Sequence, residues 1–377
     1  MPAPRVVMMY IEPTPYVRGL VDACRDSYDG SIEVLYVTSD LTQRWSLPLD
    51  EKGERLLPRS RTRAVKAIWQ TLTGEERPTA LHLAGWGHGL LAAALVMARA
   101  LRIPVAVESD SWTGRASGGA RNLVKSSLSP LLMSLPTHFL PGGTRQAAYL
   151  AGFGVPATRM TVARMTVDVT GMRAYCEHNG ARARDMRRAA LDIAEAAPVF
   201  LFVGRLEPDK GVMDLLEAFD DVTRRHGDSR LVMVGDGTLG DEVNDAARRN
   251  PAIVAAGRLA GEELWATYAA ADVLVLPSRF EPWGLVVNEA MAFGLAVVIS
   301  DNVGCRDDLV SDGQEGLIVP AGDVGALAAA LSRLAADAGF RRRAGAAART
   351  RIADWTLANE AETVTRTWRR WNGEGSI

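Results

Sequence analysis

The feature that most constrains the fold is a repeating unit: a short β-branched run, a Gly/Pro/Asp turn, then a longer helical stretch. Strand patterns are legible at Arg5–Ile11, Ile32–Tyr36, Ala80–Leu83, Val105–Glu108, His138–Leu140, Val199–Val203, Arg230–Val234, Val273–Leu276 and Val297–Ile299. Helix patterns lie between them, among them Gly89–Ala100, Gly211–Arg225, Leu239–Arg248 and Leu285–Phe293. Such alternation implies an α/β chain with parallel sheets covered by helices on both faces. Val273-Leu274-Val275-Leu276 is apolar throughout, as a strand must be when neither of its faces meets water.

The alternation breaks once. Between Val167 and Ala197 the chain turns charged and polar, with Arg173, Glu177, Arg182, Arg184, Asp185, Arg187 and Arg188, before Ala197-Pro198 opens a new strand. At 377 residues the chain is too long for one compact core and suits two. The break therefore reads as a linker and lead-in helix between two doubly wound, Rossmann-like domains, residues 1–175 and 176–355. Near the C-terminus, Trp355, Leu357, Ala361, Val364, Trp368 and Trp371 recur at roughly helical spacing. Such a stripe needs a surface to cover.

A formal net charge of -2 gives no electrostatic case for nucleic acid as a partner. Cys24, Cys176 and Cys305 are scattered and odd in number, which argues against a disulfide framework or a zinc site and fits a reducing cytoplasm. The longest apolar stretch, Leu90 to Ile103, is interrupted by Arg99 and Arg102 and is shorter than the ~20 residues of a membrane span. The expectation is a soluble cytoplasmic protein that at most lies on the inner face of a membrane.

Two segments carry chemistry. Gly204-Arg205-Leu206-Glu207-Pro208-Asp209-Lys210-Gly211 ends a strand and opens a helix. Open α/β sheets bind ligands beyond the carboxyl ends of their strands, so Arg205 and Lys210 suit an anion there. Only four of the 43 basic residues are lysines (Lys52, Lys66, Lys125 and Lys210), so a lysine at this position stands against a strong arginine bias. Arg279 to Glu289 follows the strand Val273–Leu276 and enters another helix. Gly284 permits close backbone approach, and the free amides at Leu285 form a helix N-terminus aimed at an anion. Arg205, Lys210 and a helix end together supply about +2.5 charges, enough to offset a diphosphate without a metal. Leu285 and Glu289 share a helix face, which sets Glu289 a turn below the anion, at the level of a ribose; Glu281, on the loop, is free to reach a sugar. Taken singly, Glu289 reads equally well as a complement to the helix dipole and Glu281 as the cap of a turn, and the bland reading of the Arg205 segment is a solvated loop.

In order and spacing, these segments resemble the retaining GT-B glycosyltransferases of family 4 (glycosyl transferases group 1). The matching elements are Gly204-Arg205-Leu206 with Lys210-Gly211, Val234-Gly235-Asp236-Gly237, and the glutamate pair Glu281 and Glu289 spaced by seven residues. Val297-Val298, Gly304, Gly313, Gly316-Leu317-Ile318-Val319 and Asp323 continue the pattern, which is dense from Val199 to Trp355. The resemblance implies two domains facing a cleft, with a C-terminal crossover helix, residues 356–377, returning to the first. It implies a metal-independent, retaining transfer of a sugar from a nucleotide diphosphate sugar to a glycan, lipid-linked or small-molecule hydroxyl, in bacterial glycan or glycoconjugate synthesis. Arg205 and Lys210 would hold the diphosphate with Gly204, Gly284 and Leu285; Glu281 would contact the donor sugar, Glu289 the ribose, and Arg258 and Leu259 would flank the base.

The first domain departs from the pattern. Family members often carry a His-Asp pair after a strand; here Val107-Glu108-Ser109-Asp110 holds no histidine, which makes Glu108 and Asp110 the local candidates. Their carboxylate-x-carboxylate spacing is also a metal motif of the other glycosyltransferase fold, but the basic residues already balance the phosphates, so no metal is expected. Gly142-Gly143-Thr144 resembles the family's turn facing the cleft. Glu12-Pro13-Thr14-Pro15-Tyr16 replaces the usual glycine-rich loop: its prolines stiffen the turn, and Tyr16 suits stacking on a sugar or core packing equally. Arg59, Arg61, Arg63 and Lys66 before Trp69, with Leu123 to Leu135, suit an anionic membrane surface or a solvated helix face. His82, His88 and His138 lack metal-ligand spacing and read as structural.

Rival readings are a sugar phosphorylase on the same fold and a catalytically silent nucleotide-sugar-binding subunit. A dinucleotide-dependent oxidoreductase lacks the G-x-G-x-x-G it would need after the first strand.

Overall fold

The computed structural model describes residues 3–39, 49, 53–112 and 133–372. The chain divides into two compact units, Met1–Thr166 with Leu357–Ile377, and Val167–Thr356.

Unit 1 is built on a six-stranded parallel sheet of β1 (Arg5–Tyr10), β2 (Ser31–Tyr36), β3 (Glu54–Leu56), β4 (Ala80–Leu83), β5 (Val105–Ser109) and β6 (His138–Pro141), in the order β3-β2-β1-β4-β5-β6. Its helices are α1 (Pro15–Ser27), α2 (Arg61–Thr73), α3 (Gly89–Ala100) and α4 (Thr144–Gly152). Unit 2 repeats the plan with β7 (Val199–Val203), β8 (Arg230–Val234), β9 (Ile253–Gly257), β10 (Val273–Leu276), β11 (Ala296–Ser300) and β12 (Gly316–Val319), in the order β12-β11-β10-β7-β8-β9. Its helices are α5 (Val169–Ala190), α6 (Val212–Arg225), α7 (Gly240–Arg249), α8 (Gly261–Ala270), α9 (Leu285–Ala292), α10 (Arg306–Leu309), α11 (Val324–Ala336) and α12 (Ala338–Arg351). The last helix, α13 (Leu357–Arg369), belongs to unit 1.

Both sheets have the doubly wound order, which reverses direction between β1 and β4 and again between β7 and β10. At such a reversal the following crossovers go to opposite faces, leaving a crevice beyond the strand ends. The central strands are packed as their sequence demands: every residue of β7 and of β10 is buried, and Phe200 meets Phe219 of α6 edge-on at 5.8 Å.

The charged stretch expected to link the domains is largely one continuous helix, α5, and the division falls at Val167 rather than at 175/176. The arginines explain this. Arg184 and Arg188 share Asp272 at 2.9 and 3.0 Å, and Arg188, itself buried, also donates to the carbonyls of Ala197 and Ala270. These bonds staple α5 to the start of β10 in unit 2.

The apolar C-terminal stripe covers unit 1. Ala361, Val364 and Trp368 are fully buried, α13 packs on α1, and Trp368 stands edge-on to Tyr28 and His82 at 5.4 and 5.5 Å. Trp355 is not part of this contact: it lies in unit 2, 5.6 Å from Trp283. The stiff turn expected at Glu12–Tyr16 is a helix start, with Pro15 at the first position of α1 and Thr14 Oγ1 accepting from the Val17 amide, a place where proline is favoured. Of the stretch Leu123 to Leu135, residues 123–132 lie outside the described residues, as do Lys52 and Lys125. Among the described residues no helix is long and apolar enough to cross a membrane.

Candidate active site

The loops after β7 and β10 leave the sheet of unit 2 side by side, at its reversal point. Arg205, at the end of β7, is exposed. Pro208–Lys210 form a single 3-10 turn that delivers Lys210 inward, where it is buried. Its Nζ lies 2.7 Å from Glu281 Oε2 on the neighbouring loop. A second tie joins the loops, because the Arg279 amide donates to the Asp209 carbonyl at 2.8 Å.

The Gly235-Asp236-Gly237 turn after β8 braces the Arg205 loop from its other side. A Cβ at Gly235 would stand 1.8 Å from the Gly204 carbonyl oxygen, and one at Gly237 2.5 Å from that of Leu206. Only glycine admits so close an approach. It lets the Gly204 amide donate to Val234 O at 3.0 Å and the Leu206 amide to Asp236 O at 2.8 Å.

After β10, Gly284 adopts φ +101° and begins α9. Its missing side chain leaves room between Val303 and Leu276, which a Cβ would approach to 3.1 and 3.2 Å. The Val287 amide already donates to Gly284 O at 2.8 Å, but those of Leu285 and Val286 come too early in α9 for an intrahelical acceptor, so Leu285 presents a positive helix end. The loop is held firmly: the Glu281 amide donates to Asn302 O, Gly304 donates to Glu281 O, and Arg279 grips Asp214 through two bonds at 3.2 and 2.9 Å.

One turn into α9, Glu289 accepts a 2.5 Å hydrogen bond from Tyr268 of α8. Burial pushes the Glu289 carboxyl up to about 7, the tyrosine bond pulling the other way. Tyr268 is fully buried and stacked on Phe293 at 5.5 Å. No motif marks Tyr268 in the sequence. Arg258, exposed, and Leu259, half-buried, follow the edge strand β9, one strand beyond the Gly235 turn. Lys210, Glu281, Gly284 and Leu285 are thus gathered at the ends of β7 and β10, with Arg205 on the same loop as Lys210, while Arg258 and Leu259 flank them at the sheet edge.

In unit 1, Glu108, next to last in β5, has Oε1 accepting from Tyr10 Oη at 2.9 Å and bonded to His82 Nε2 at 2.8 Å. His82 is fully buried, and its Nδ1 has no hydrogen-bond partner among the described residues. This histidine joins a carboxylate at the strand ends, a role its spacing from the other histidines does not reveal. Burial raises the Tyr16 hydroxyl, the Thr14 bond opposing it and the charges of Asp110, Glu108 and Glu12 adding to it. Asp110 is exposed just past β5. Gly143 is buried and Thr144, exposed, begins α4, where the Arg145 guanidinium lies 4.6 Å from the Trp112 ring centre. Among the described residues no group of three or more His, Cys, Asp or Glu has the arrangement of a metal site.

Residues 13–165 match the family described as Glycosyl transferase 4-like domain, and residues 183–351 the family described as Glycosyl transferases group 1. Glycogen synthase of Mycobacterium tuberculosis is 39% identical over 171 residues, which are 44% of this chain and 41% of that protein. The GDP-mannose-dependent alpha-mannosyltransferase of Mycolicibacterium smegmatis is 38% identical over 161 residues, 42% of this chain and 39% of that one. The chain spans about two fifths of the length of the curated relatives it matches. Among solved structures, sucrose-phosphate synthase from Thermosynechococcus elongatus aligns with a TM-score of 0.76 at 19% identity, over 98% of this chain and 99% of that one. Anabaena HepE in complex with UDP aligns with a TM-score of 0.79 at 16% identity, over 97% and 100%. The structural likeness speaks for the fold, the sequence matches for the lineage. Each half of the chain thus matches its own glycosyl transferase family model, the second half that of glycosyl transferases group 1, and the whole chain has the GT-B fold.

Proposed function

We propose that the protein is a retaining, metal-independent glycosyltransferase that moves a sugar from a nucleotide diphosphate sugar to a hydroxyl acceptor, in bacterial glycan or glycoconjugate synthesis. The observation that carries this reading is the convergence of Lys210 and the Gly284–Leu285 helix start at the reversal point of the unit 2 sheet. That pairing of ammonium and free amides suits a diphosphate. Arg205 adds a second charge from the loop. Glu289 takes the ribose, Glu281 the donor sugar, Gly204 lets the backbone come close, and Arg258 and Leu259 flank the base. In unit 1, Glu108, Asp110, Tyr16, Gly143 and Thr144 serve the acceptor, with Glu108 standing in for the family's histidine.

In the reaction the bond from the anomeric carbon to the phosphate oxygen breaks, the acceptor oxygen bonds to that carbon on the same face, and its proton passes to the departing phosphate. Catalysis then rests on positioning and on stabilising the leaving diphosphate. The protein would work in the cytoplasm. Exposed Arg59, Arg61, Arg63 and Lys66, with Trp69 46% exposed on α2, support a peripheral contact with an anionic membrane surface.

HepE was solved with UDP and the mannosyltransferase is named for GDP-mannose, so UDP-glucose and GDP-mannose are the first donors to test. Thermal shift with each nucleotide identifies the base, since a ligand of the folded state raises Tm. Turnover should then release nucleoside diphosphate. Release of sugar 1-phosphate instead would assign a phosphorylase, and binding without turnover a silent subunit.

A further inference from the structure

We propose that Thr238 is a positioning residue of the diphosphate site: by occupying both oxygens of Glu207 it keeps that carboxylate off Arg205 and leaves the guanidinium for the ligand. The inference rests on the reading that Arg205 receives the diphosphate.

The loops after β7 and β8 run together as a braced pair. Besides the bond from the Leu206 amide to Asp236 O, the Leu239 amide donates back to Leu206 O at 2.9 Å. Gly237 admits this close approach, and the register sets Thr238 opposite Glu207. The Thr238 hydroxyl donates to Glu207 Oε2 at 2.6 Å, and the Thr238 amide to Oε1 at 3.2 Å. These two bonds, and after them the charge of Arg205, hold the Glu207 carboxyl below its usual range.

Glu207 is therefore close to Arg205 yet engaged elsewhere. The two residues share a tight turn in which the Glu207 amide donates to Arg205 O at 2.9 Å. Among the described residues the exposed Arg205 side chain has no ion pair. A guanidinium held by a carboxylate must give up that pair before it takes a phosphate. One whose neighbouring carboxylate is satisfied by a hydroxyl has no such contact to break. Removing the hydroxyl strips Oε2 of its donor, and the guanidinium two residues back, a fork of five donors, can replace it. Arg205 and Thr238 are exposed and Glu207 is half-buried. The new pair would thus compete with the ligand only as strongly as a surface ion pair can, about two- to fivefold in affinity.

The test uses inorganic pyrophosphate, which carries the charge and has neither base nor sugar. It is titrated calorimetrically at fixed ionic strength into the parent protein and into Thr238→Ala, Thr238→Ser, Glu207→Gln, Arg205→Ala and the double variant Thr238→Ala/Glu207→Gln. Circular dichroism first shows each to be folded. Thr238→Ala should bind about two- to fivefold more weakly, and Thr238→Ser, which keeps the hydroxyl, as the parent does. Glu207→Gln should raise affinity more in the Thr238→Ala background than in the parent, because only there does the carboxylate hold Arg205. If Thr238 merely supported the loop, the double variant would bind as weakly as Thr238→Ala, and that result overturns the proposal. So does a Thr238→Ala variant that binds like the parent; if Arg205→Ala then loses affinity, the diphosphate still belongs at Arg205. If Arg205→Ala also matches the parent, or the parent does not bind pyrophosphate, both readings fail.

Discussion

The Tyr268 hydroxyl and Glu289 Oε2 are 2.5 Å apart, and the tyrosine is wholly shielded from water. A carboxyl raised to about 7 by burial is costly to ionise, so this donor supports a group the fold alone would not keep there. Unpaired cost of this kind clusters at functional sites.

That cost predicts a pH signature. The folded value of about 7 lies above the ordinary 4.5, so the folded chain holds this proton more tightly than the unfolded one. The stability it contributes is complete below pH 4.5 and is lost as pH rises through 7, a loss of about 3 kcal/mol. Glu289→Gln stays neutral and can still accept from Tyr268. Urea unfolding at pH 5 and pH 8 should show a smaller loss of stability in the variant than in the parent; equal losses would contradict the assignment.

The two glutamates should also part in function. Ribose contacts are felt in ground-state binding, so Glu289→Gln should weaken nucleoside diphosphate and nucleotide sugar together. Contacts to the reacting sugar strengthen as charge develops on its ring, so Glu281→Gln should lower kcat without lowering nucleoside diphosphate affinity. Titrations and kcat on folded variants decide it. The reverse pattern would turn the donor around in the site.

Arg205→Ala and Lys210→Ala should each cost about 2–5 kcal/mol in donor binding or turnover, the range for truncating one partner of a buried charge contact. Exposed Arg205 belongs at the low end and buried Lys210 at the high end. Unchanged kinetics in both would remove the diphosphate from this loop.

EDTA should leave turnover intact, because Arg205, Lys210 and the α9 start carry the charge a metal would otherwise supply. Inactivation by EDTA that Mn²⁺ or Mg²⁺ reverses would make Glu108 and Asp110 ligands.

Much of the fold is legible in the sequence because fully buried parallel strands cannot disguise themselves. Ala80–Leu83, Val199–Val203, Arg230–Val234 and Val273–Leu276 have the bounds their apolar runs suggest. Two edge strands do not: Glu54-Arg55-Leu56 is short and charged, and Ile253–Gly257 carries two alanines and a glycine, residues that favour no strand. The helix at Pro15 was masked by prolines, which read as breakers unless the capping Thr14 is weighed with them. In the site, Arg205, Lys210, Gly284 and the glutamates announce themselves by motif. Their partners do not. Tyr268 lies on another helix, Tyr10 and His82 reach Glu108 from different strands, and Lys210 meets Glu281 across three crossovers. No local spacing encodes such meetings.

The return of α13 to unit 1 sets an order of events for a chain made from its N-terminus. The surface of α1 that receives Ala361 and Val364, and the edge where His82 and Tyr28 await Trp368, are synthesised long before their cover. All of Val167–Thr356 comes between. At roughly 5–20 residues per second, that delay is on the order of 10–40 s. Unit 2 can complete itself on the ribosome as one uninterrupted stretch, whereas unit 1 stays unfinished until the last helix emerges. The unit that begins first is thus the later to mature, and its half-covered face is the natural client for a chaperone during that interval.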